Sequence, residues 1–239
     1  MVNNKEGISP QVYARVCGVA YLVIIATGIF GEVFVRNKII VPGDAAATAN
    51  NIVNSALLWR IGLAGDILMH LCDVVTMTIF FVLLRTVNKN LALAMLLFNL
   101  IQTSVLVANK MNLVLPLFLT GNANYLEAFN PHQLQALTYL SVKAHEFGFG
   151  IGLIFFGVEC LILGYLIFKS GFLPRVLGIL IQIAGLCYLT NSFSLILSPA
   201  FAGLLFPYIL FPAFIGELSL CLWLIVKGVN VSKWKERLT

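Results

Sequence analysis

Six long runs of apolar residues divide the chain, and short polar intervals separate them. The runs are of the length, roughly 18 residues or more, that lets a helix cross a lipid bilayer. The pattern therefore predicts an all-α fold, a bundle of six transmembrane helices forming a single integral membrane domain over residues 1–239. The predicted spans, numbered 1 to 6, cover residues 12–35, 58–84, 91–119, 141–168, 174–197 and 203–226.

The composition excludes a soluble protein. Of 239 residues, 60% are hydrophobic and 10% are charged, whereas a soluble domain carries about 25% charged residues. The net charge of +5 does not indicate a nucleic-acid partner, because the basic residues are scattered at the ends of the apolar runs and form no stripe or arm. All five cysteines lie within apolar runs, which predicts buried thiols and no disulfide framework.

Lysine and arginine predict the orientation of the bundle. Basic residues are favoured on the cytoplasmic side of a membrane protein, and here they concentrate in alternate loops and at both termini, namely Lys5, Arg15, Arg85, Lys89, Lys169, Arg175, Lys227, Lys233, Lys235 and Arg237. The opposite side carries fewer, chiefly Arg36, Lys38 and Lys143. Both termini are therefore predicted to be cytoplasmic.

Two outer loops contain helix start signals. Asp44 precedes "AAATANNIV" and suits a helix N-cap, which predicts a short amphipathic helix on the outer surface. In "NPHQLQALTYL", Pro131 suits the first position of a helix, and we expect this stretch to continue into span 4.

Span 2 carries three ionisable residues where lipid should surround it. In "WRIGLAGDILMHLCDVV", Asp66, His70 and Asp73 recur at intervals of four and three residues and share one helical stripe with Gly62. Two carboxylates near the bilayer centre cost about 5 to 7 kcal/mol, close to what the apolar side chains of the same helix return. We therefore expect this stripe to face the interior of the bundle.

The rise of about 1.5 Å per residue gives the depth of the other polar side chains. His70, Asp73, Glu159 and Glu217 fall near the midplane. The outer half contains Glu32, Asp66, Asn109, Lys110, Asn112, Lys143, His145, Glu146, Asn191 and Ser192, whereas the inner half has mainly Asn99, Gln102 and Gln182. This distribution predicts a polar pocket that opens outward and closes toward the cytoplasm.

Span 4 has two glycine-containing stripes. One carries His145, Gly148, Gly152 and Glu159, and the other carries Glu146, Gly150, Gly157 and Gly164. Glycine at such intervals lets helices approach closely. We expect one face to line the pocket and the other to pack against a neighbouring span.

The residue types suggest several kinds of chemistry. Asp66, His70 and His145 are candidate ligands for a divalent metal such as zinc, although their spacing matches no metalloprotease helix. Asp73, Glu159 and Glu217 are candidate catalytic residues, because carboxylates buried together share protons. The candidate pocket residues are Glu32, Asn109, Asn112, Glu146 and Asn191.

Some of these residues also have structural interpretations. Glu32 and Arg36, four residues apart, favour an ion pair, and Lys110 is placed to extend toward the outer interface. A haem held by His70 and His145 is disfavoured by their different depths. No nucleophile elbow, phosphate loop or dinucleotide motif is present in the sequence.

Three functional interpretations remain open. The first, which the sequence favours, is a membrane-embedded enzyme that acts on a lipid or another small amphiphile, with or without a divalent metal, because spans 2 and 4 are long and mostly unbroken. The second is a small proton-coupled transporter, compatible with a homodimer, for which Pro207 and Pro212 in span 6 supply a helix break. The third is a non-catalytic receptor or scaffold. All three imply membrane lipids as partners.

Several segments resemble a family of membrane proteins. They are "GIFGEVFVRNKIIVPGDAAATANNI", "LLRTVNKNLALA", "FKSGFLPRVLGIL" and "IGELSLCLWLIVKG", which together extend over nearly the whole chain. They are similar to the bacterial proteins catalogued as domain-of-unknown-function family 4386. The resemblance implies a multi-pass protein of the bacterial cytoplasmic (inner) membrane, and it implies no activity for any residue.

Overall fold

The structure, a computed structural model, describes residues 9–238. Lys5, one of the predicted orientation signals, lies outside the described residues. Within residues 9–238 the regular structure is helical, with no strand. Five helices are long and apolar enough to cross a membrane, and a bent pair of shorter helices makes six if the pair is taken as one span. The predicted all-α transmembrane bundle is therefore confirmed.

The observed spans match the predicted runs in order and position. Span 4 starts at Pro131 and not near residue 141, because Asn130 and Gln133 form a reciprocal capping box in which each side chain accepts from the other residue's backbone N–H. The bounds are Pro10–Ile39, Ala56–Leu84, Lys89–Leu119, Pro131–Ser170, Arg175–Leu197 and, for the bent pair, Pro199–Leu205 with Leu210–Val226.

The predicted surface helix is also present, as Ala45–Asn54. Asp44 caps it, since its Oδ1 accepts a hydrogen bond of 2.8 Å from the backbone N–H of Ala47. Thr48, Ala49 and Ile52 form its buried face. A 3₁₀ turn, Asn124–Ala128, occupies the loop between spans 3 and 4.

Three spans depart from regular α-helix at the same end of the bundle. Span 1 contains a π-helical segment, Phe30–Arg36. Span 3 is divided into Lys89–Asn109 and Met111–Leu119, with Pro116 in the second piece unable to donate a backbone hydrogen bond. The two helices of span 6 meet at an angle of 54°. Irregular backbone at membrane depth is tolerated where protein surrounds it.

Each span packs against its neighbours in sequence, and span 6 packs back against span 1. The six spans thus form a closed ring. Spans 4 and 5 approach closely because glycines meet there: a Cβ on Gly157 would stand 3.0 Å from the Gly185 carbonyl oxygen, and one on Gly185 would stand 2.7 Å from the Gly157 carbonyl oxygen. The stripe of span 4 that carries Gly150, Gly157 and Gly164 thus packs against span 5.

The interior of the ring is layered. A large apolar cluster that includes Phe80, Leu83 and Leu166 fills the end near the span 2–3 and span 4–5 turns. We call this the basic end, because most of the predicted orientation signals lie there. A smaller apolar cluster around Trp59, Val35 and Leu113 fills the opposite end, which we call the far end. Buried ionisable residues such as His70, Asp73 and Glu159 lie along the spans between the residues of these two clusters. The five cysteines are free thiols.

Candidate functional site

Spans 2, 3 and 4 bring four polar side chains together in the middle of the ring. Thr103 donates a hydrogen bond of 2.6 Å to Oδ2 of Asp73. Asn99 Nδ2 lies 3.1 Å from the same oxygen and 3.3 Å from Oε2 of Glu159. All four side chains are buried. We call this group, together with Gln102, the carboxyl cluster.

The carboxyl cluster has more acceptors than donors. Asn99 Nδ2 carries two hydrogens but lies within 3.3 Å of four oxygens, those of Asp73, Gln102 and Glu159. Oε1 of Glu159 is buried and has no partner. Among residues 9–238, no lysine or arginine forms an ion pair with Asp73 or Glu159. Because two unpaired negative charges are strongly disfavoured at this depth, the cluster binds at least one proton.

A third carboxyl group comes from span 6. The Tyr188 hydroxyl donates a short hydrogen bond to Oε1 of Glu217, and the Tyr21 hydroxyl lies close to the same carboxyl group. Of the three predicted catalytic carboxylates, Asp73 and Glu159 therefore meet through Asn99, and Glu217 is buried beside Tyr188 on the neighbouring span.

Asp66 lies at the centre of a second group, toward the far end. Its Oδ2 accepts from Nη1 of Arg36 at 2.8 Å and from Nζ of Lys110 at 2.9 Å. Nε of Arg36 also donates to Oε2 of Glu32 at 2.8 Å. Two cations thus balance two anions, and we call these residues the ion-pair cluster. The predicted pair of Glu32 and Arg36 is present, but Lys110 turns inward and does not extend outward.

Irregular backbone positions both cations of the ion-pair cluster. Arg36 ends the π-helical segment of span 1, and Lys110 occupies the junction between the two pieces of span 3. Gly31 makes room for the contact, because a Cβ there would stand 2.8 Å from Oδ1 of Asp66 and 3.0 Å from Nη2 of Arg36. Oδ1 of Asp66 has no hydrogen-bond partner.

The two buried histidines have different surroundings. Nδ1 of His145 lies 3.0 Å from Nδ2 of Asn109, which also donates to the His145 carbonyl oxygen at 2.9 Å. Asn112 in turn donates to Oδ1 of Asn109 at 2.9 Å. His70 is buried as well, and its Nε2 has no partner. His145 is therefore fixed by the side chains of span 3, whereas His70 keeps an unused ring nitrogen.

The proposed metal ligands do not form a ligand set in this structure. Within residues 9–238, no three side chains of His, Cys, Asp or Glu are arranged to hold a metal ion. Asp66 is occupied by a guanidinium and an ammonium group, which a metal ion would have to displace. The metal hypothesis stays a prediction.

Three of the candidate pocket residues lie outside both clusters or at their edge. Glu146 is exposed and pairs with Lys143 of the same helix at 2.7 Å. Glu32 is half-exposed and reaches the interior only through Arg36. Asn191 is half-buried on span 5, beside the buried Ser192. Of the five pocket candidates, only Asn109 and Asn112 thus join the hydrogen-bonded interior.

The polar layer is closed at the far end, where the sequence predicted an opening. Trp59 is buried, and its Nε1 donates a hydrogen bond of 2.7 Å to the Leu113 carbonyl oxygen. The space beside it, lined by Val35, Arg36 and Gly62, has no room for a water molecule. Asp66, Lys110 and His145, which the sequence placed in the outer half, are buried in this conformation, whereas Glu32, Lys143 and Glu146 remain accessible.

Several residues that contact the buried carboxyl groups were not among the site residues proposed from the sequence. Asn99, Gln102 and Thr103 lie three and four residues apart and share one face of span 3, a pattern visible in the sequence. Tyr188 and Tyr21 gave no such signal, because single tyrosines are common in membrane helices. Their role depends on where spans 1, 5 and 6 meet.

The fold and the buried clusters define a multi-pass helical membrane protein with a polar interior. The chain belongs to the family described as "Domain of unknown function (DUF4386)", whose model matches residues 16–228. An uncharacterised protein of Archaeoglobus fulgidus is 29% identical over 171 residues, which cover 72% of this chain and 86% of the relative. No solved structure matches the chain at a significant level.

Proposed function

We propose that this protein is a small proton-coupled transporter of a bacterial cytoplasmic membrane that carries an amphiphilic solute. The carboxyl cluster carries the proposal: Asp73 and Glu159 lie buried in the ring without a cation among residues 9–238 and share the amide hydrogens of Asn99, while Asp73 also accepts from Thr103. Carboxyl groups in such a position bind and release protons as solvent access changes, which is what proton coupling requires.

The irregular spans support transport over a fixed structural role. Transporters often use interrupted helices beside their binding sites, and here spans 1, 3 and 6 are irregular toward the far end. The apolar clusters around Trp59 and around Leu83 close both ends of the interior. This conformation corresponds to an occluded state, from which opening of either cluster exposes the polar layer to one side.

The two polar groups have different roles in this mechanism. The carboxyl cluster exchanges the proton, and Glu217 with Tyr188 extends it toward span 6. The ion-pair cluster holds spans 1, 2 and 3 together while its charges balance. A solute that carries a charged group would compete for Asp66, Arg36 or Lys110 and would thereby loosen the far end.

Uptake into proteoliposomes tests the proposal. Liposomes containing the protein and the dye pyranine are given a pH gradient and a mixture of small bacterial metabolites, and the lumen is analysed by mass spectrometry. We expect at least one solute to accumulate with movement of protons, and a protonophore to abolish that accumulation.

Two variants test whether Glu159 couples uptake to the proton gradient. Glu159→Gln keeps the shape of the side chain but removes its exchangeable proton, and we expect it to abolish proton-driven accumulation. Glu127→Gln, in the exposed 3₁₀ turn, should behave as wild type. If the folded wild-type protein accumulates nothing and moves no protons, or if Glu159→Gln still couples uptake to the gradient, the proposal is wrong.

A further inference from the structure

A cleft lies at the basic end, far from the polar layer. It is lined by Val87, Asn88, Tyr165, Lys169 and Arg237 and has a volume of about 330 Å³. These residues come from the turn between spans 2 and 3, the last turns of span 4 and the C-terminal tail. The volume lies within the range of about 300 to 1,000 Å³ that is usual for small-ligand sites.

The C-terminal tail is held in place where it forms one wall of the cleft. Nε1 of Trp234 donates to the Leu83 carbonyl oxygen at 3.1 Å, and the backbone N–H of Asn230 donates to the Phe172 carbonyl oxygen at 3.0 Å. Nη2 of Arg237 then donates to the Lys169 carbonyl oxygen at 2.8 Å. Three contacts with three parts of the bundle therefore fix the position of Arg237.

The two cations of the cleft keep donors for a ligand. Arg237 uses Nη2 for the backbone contact and has further N–H groups. Nζ of Lys169 lies 5.9 Å from the centre of the Tyr165 ring. Neither side chain forms an ion pair with a carboxylate among residues 9–238. Asn88 caps span 3 through its Oδ1, which accepts from the backbone N–H of Leu91, and its amide Nδ2 carries two further N–H groups.

The surroundings strengthen the positive potential. Arg85 and Lys89 flank the span 2–3 turn, and Arg175 starts span 5. Glu236 is the acidic residue of the tail. The other basic residues at this end are Arg15, Lys227, Lys233 and Lys235. Tyr165 is 43% exposed on the outer surface of span 4, as expected for an aromatic residue at a membrane interface. The cleft therefore borders the exposed surface of span 4 at Tyr165.

We propose that this cleft binds the phosphate group of an anionic phospholipid, with Lys169 and Arg237 as its cationic contacts, Asn88 as a donor to the headgroup and Tyr165 beside the first acyl chain. Basic pockets at the cytoplasmic ends of transmembrane helices suit such headgroups. A bound lipid would join the span 2–3 turn, span 4 and the tail. This site is separate from the proposed transport path, and its failure would leave that proposal unaffected.

Native mass spectrometry of the full chain tests the site. The protein is released from micelles that contain equal amounts of phosphatidylglycerol and phosphatidylcholine. We expect the wild type to retain phosphatidylglycerol selectively, and Lys169→Gln with Arg237→Gln to bind it roughly 10- to 30-fold more weakly, as expected for the loss of two cations near the headgroup. Circular dichroism and gel filtration establish that the variants are folded.

A matched control separates the cleft from the general charge of this end. Lys227→Gln with Lys235→Gln removes the same charge from exposed positions outside the cleft, and we expect it to keep selective lipid retention. Equal losses in both double variants would overturn the proposal, because they would indicate diffuse attraction only. Full displacement of phosphatidylglycerol by millimolar inorganic phosphate would also overturn it, since the site would then recognise a free anion.

Discussion

Nζ of Lys110 lies 2.9 Å from Oδ2 of Asp66. Both side chains are buried, with side-chain exposures of 4% and 0%, so the pair joins the break in span 3 to the middle of span 2 inside the bundle. Arg36 adds span 1 to the same oxygen. One carboxylate on span 2 therefore contacts cations from spans 1 and 3.

Removing that carboxylate should destabilise the bundle strongly. Asp66→Asn leaves Lys110 buried without a counter-charge, and loss of one partner of a buried pair costs about 3–5 kcal/mol. We expect a decrease of that order in the free energy of unfolding, measured by reversible unfolding in mixed detergent micelles. The double variant Asp66→Asn with Lys110→Met should recover part of the loss.

An exposed ion pair provides the control. Lys143 and Glu146 pair at 2.7 Å with about half of each side chain exposed, and exposed pairs contribute about 0–1 kcal/mol. Lys143→Met should therefore change stability little. Equal effects of Asp66→Asn and Lys143→Met would contradict the role given to the ion-pair cluster.

Gly31 should be required next to this cluster. A Cβ there would stand 2.8 Å from Oδ1 of Asp66 and 3.0 Å from Nη2 of Arg36, so Gly31→Ala displaces one of the two paired groups. We expect a loss of about 1–3 kcal/mol in the free energy of unfolding. Gly65→Ala, on span 2, has no neighbouring heavy atom within 4 Å and should be neutral or stabilising.

Thr103 should contribute through its hydroxyl group. Thr103→Val keeps the shape of the side chain but removes the hydrogen bond of 2.6 Å to Asp73, which should cost about 1–3 kcal/mol because the acceptor is left buried. Thr78→Val is the comparison, since the Thr78 hydroxyl only contacts the backbone of its own helix. A smaller loss for Thr103→Val than for Thr78→Val would indicate that Asp73 does not depend on Thr103.

Trp59 should control access to the polar layer from the far end. Trp59→Ala removes a buried ring and its hydrogen bond to Leu113, and we expect faster proton leakage from pyranine-loaded liposomes than for the wild type. Trp223→Ala is the control, because Trp223 lies at the basic end and is 36% exposed. Unchanged leakage in folded Trp59→Ala would show that another part of the far end closes the interior.

The sequence predicted the interior face of span 2 for a simple physical reason. Asp66, His70 and Asp73 occupy one stripe, and no lipid environment solvates them. The sequence also predicted that Glu159 and Glu217 lie near the midplane of the membrane. Depth alone did not give the partner of each side chain, so Lys110 was expected to extend outward and Glu146 to face inward. In the structure the break in span 3 turns Lys110 inward, and the helical position of Glu146 leaves it on the surface.

The order of apolar and polar residues determined that the chain is a helical membrane protein with several apolar runs, and that the stripe of Asp66, His70 and Asp73 turns inward, because hydrocarbon excludes unpaired polar groups wherever they occur. Only the tertiary structure decided which inward carboxylates pair with a cation and which do not. The π-helical segment of span 1 and the break in span 3 bring Arg36 and Lys110 to Asp66, whereas Asp73 and Glu159 meet without a cation. Which residues enter the ion-pair cluster and which enter the carboxyl cluster depends on how each helix is rotated about its own axis. The spacing of side chains within one apolar run does not reveal that rotation.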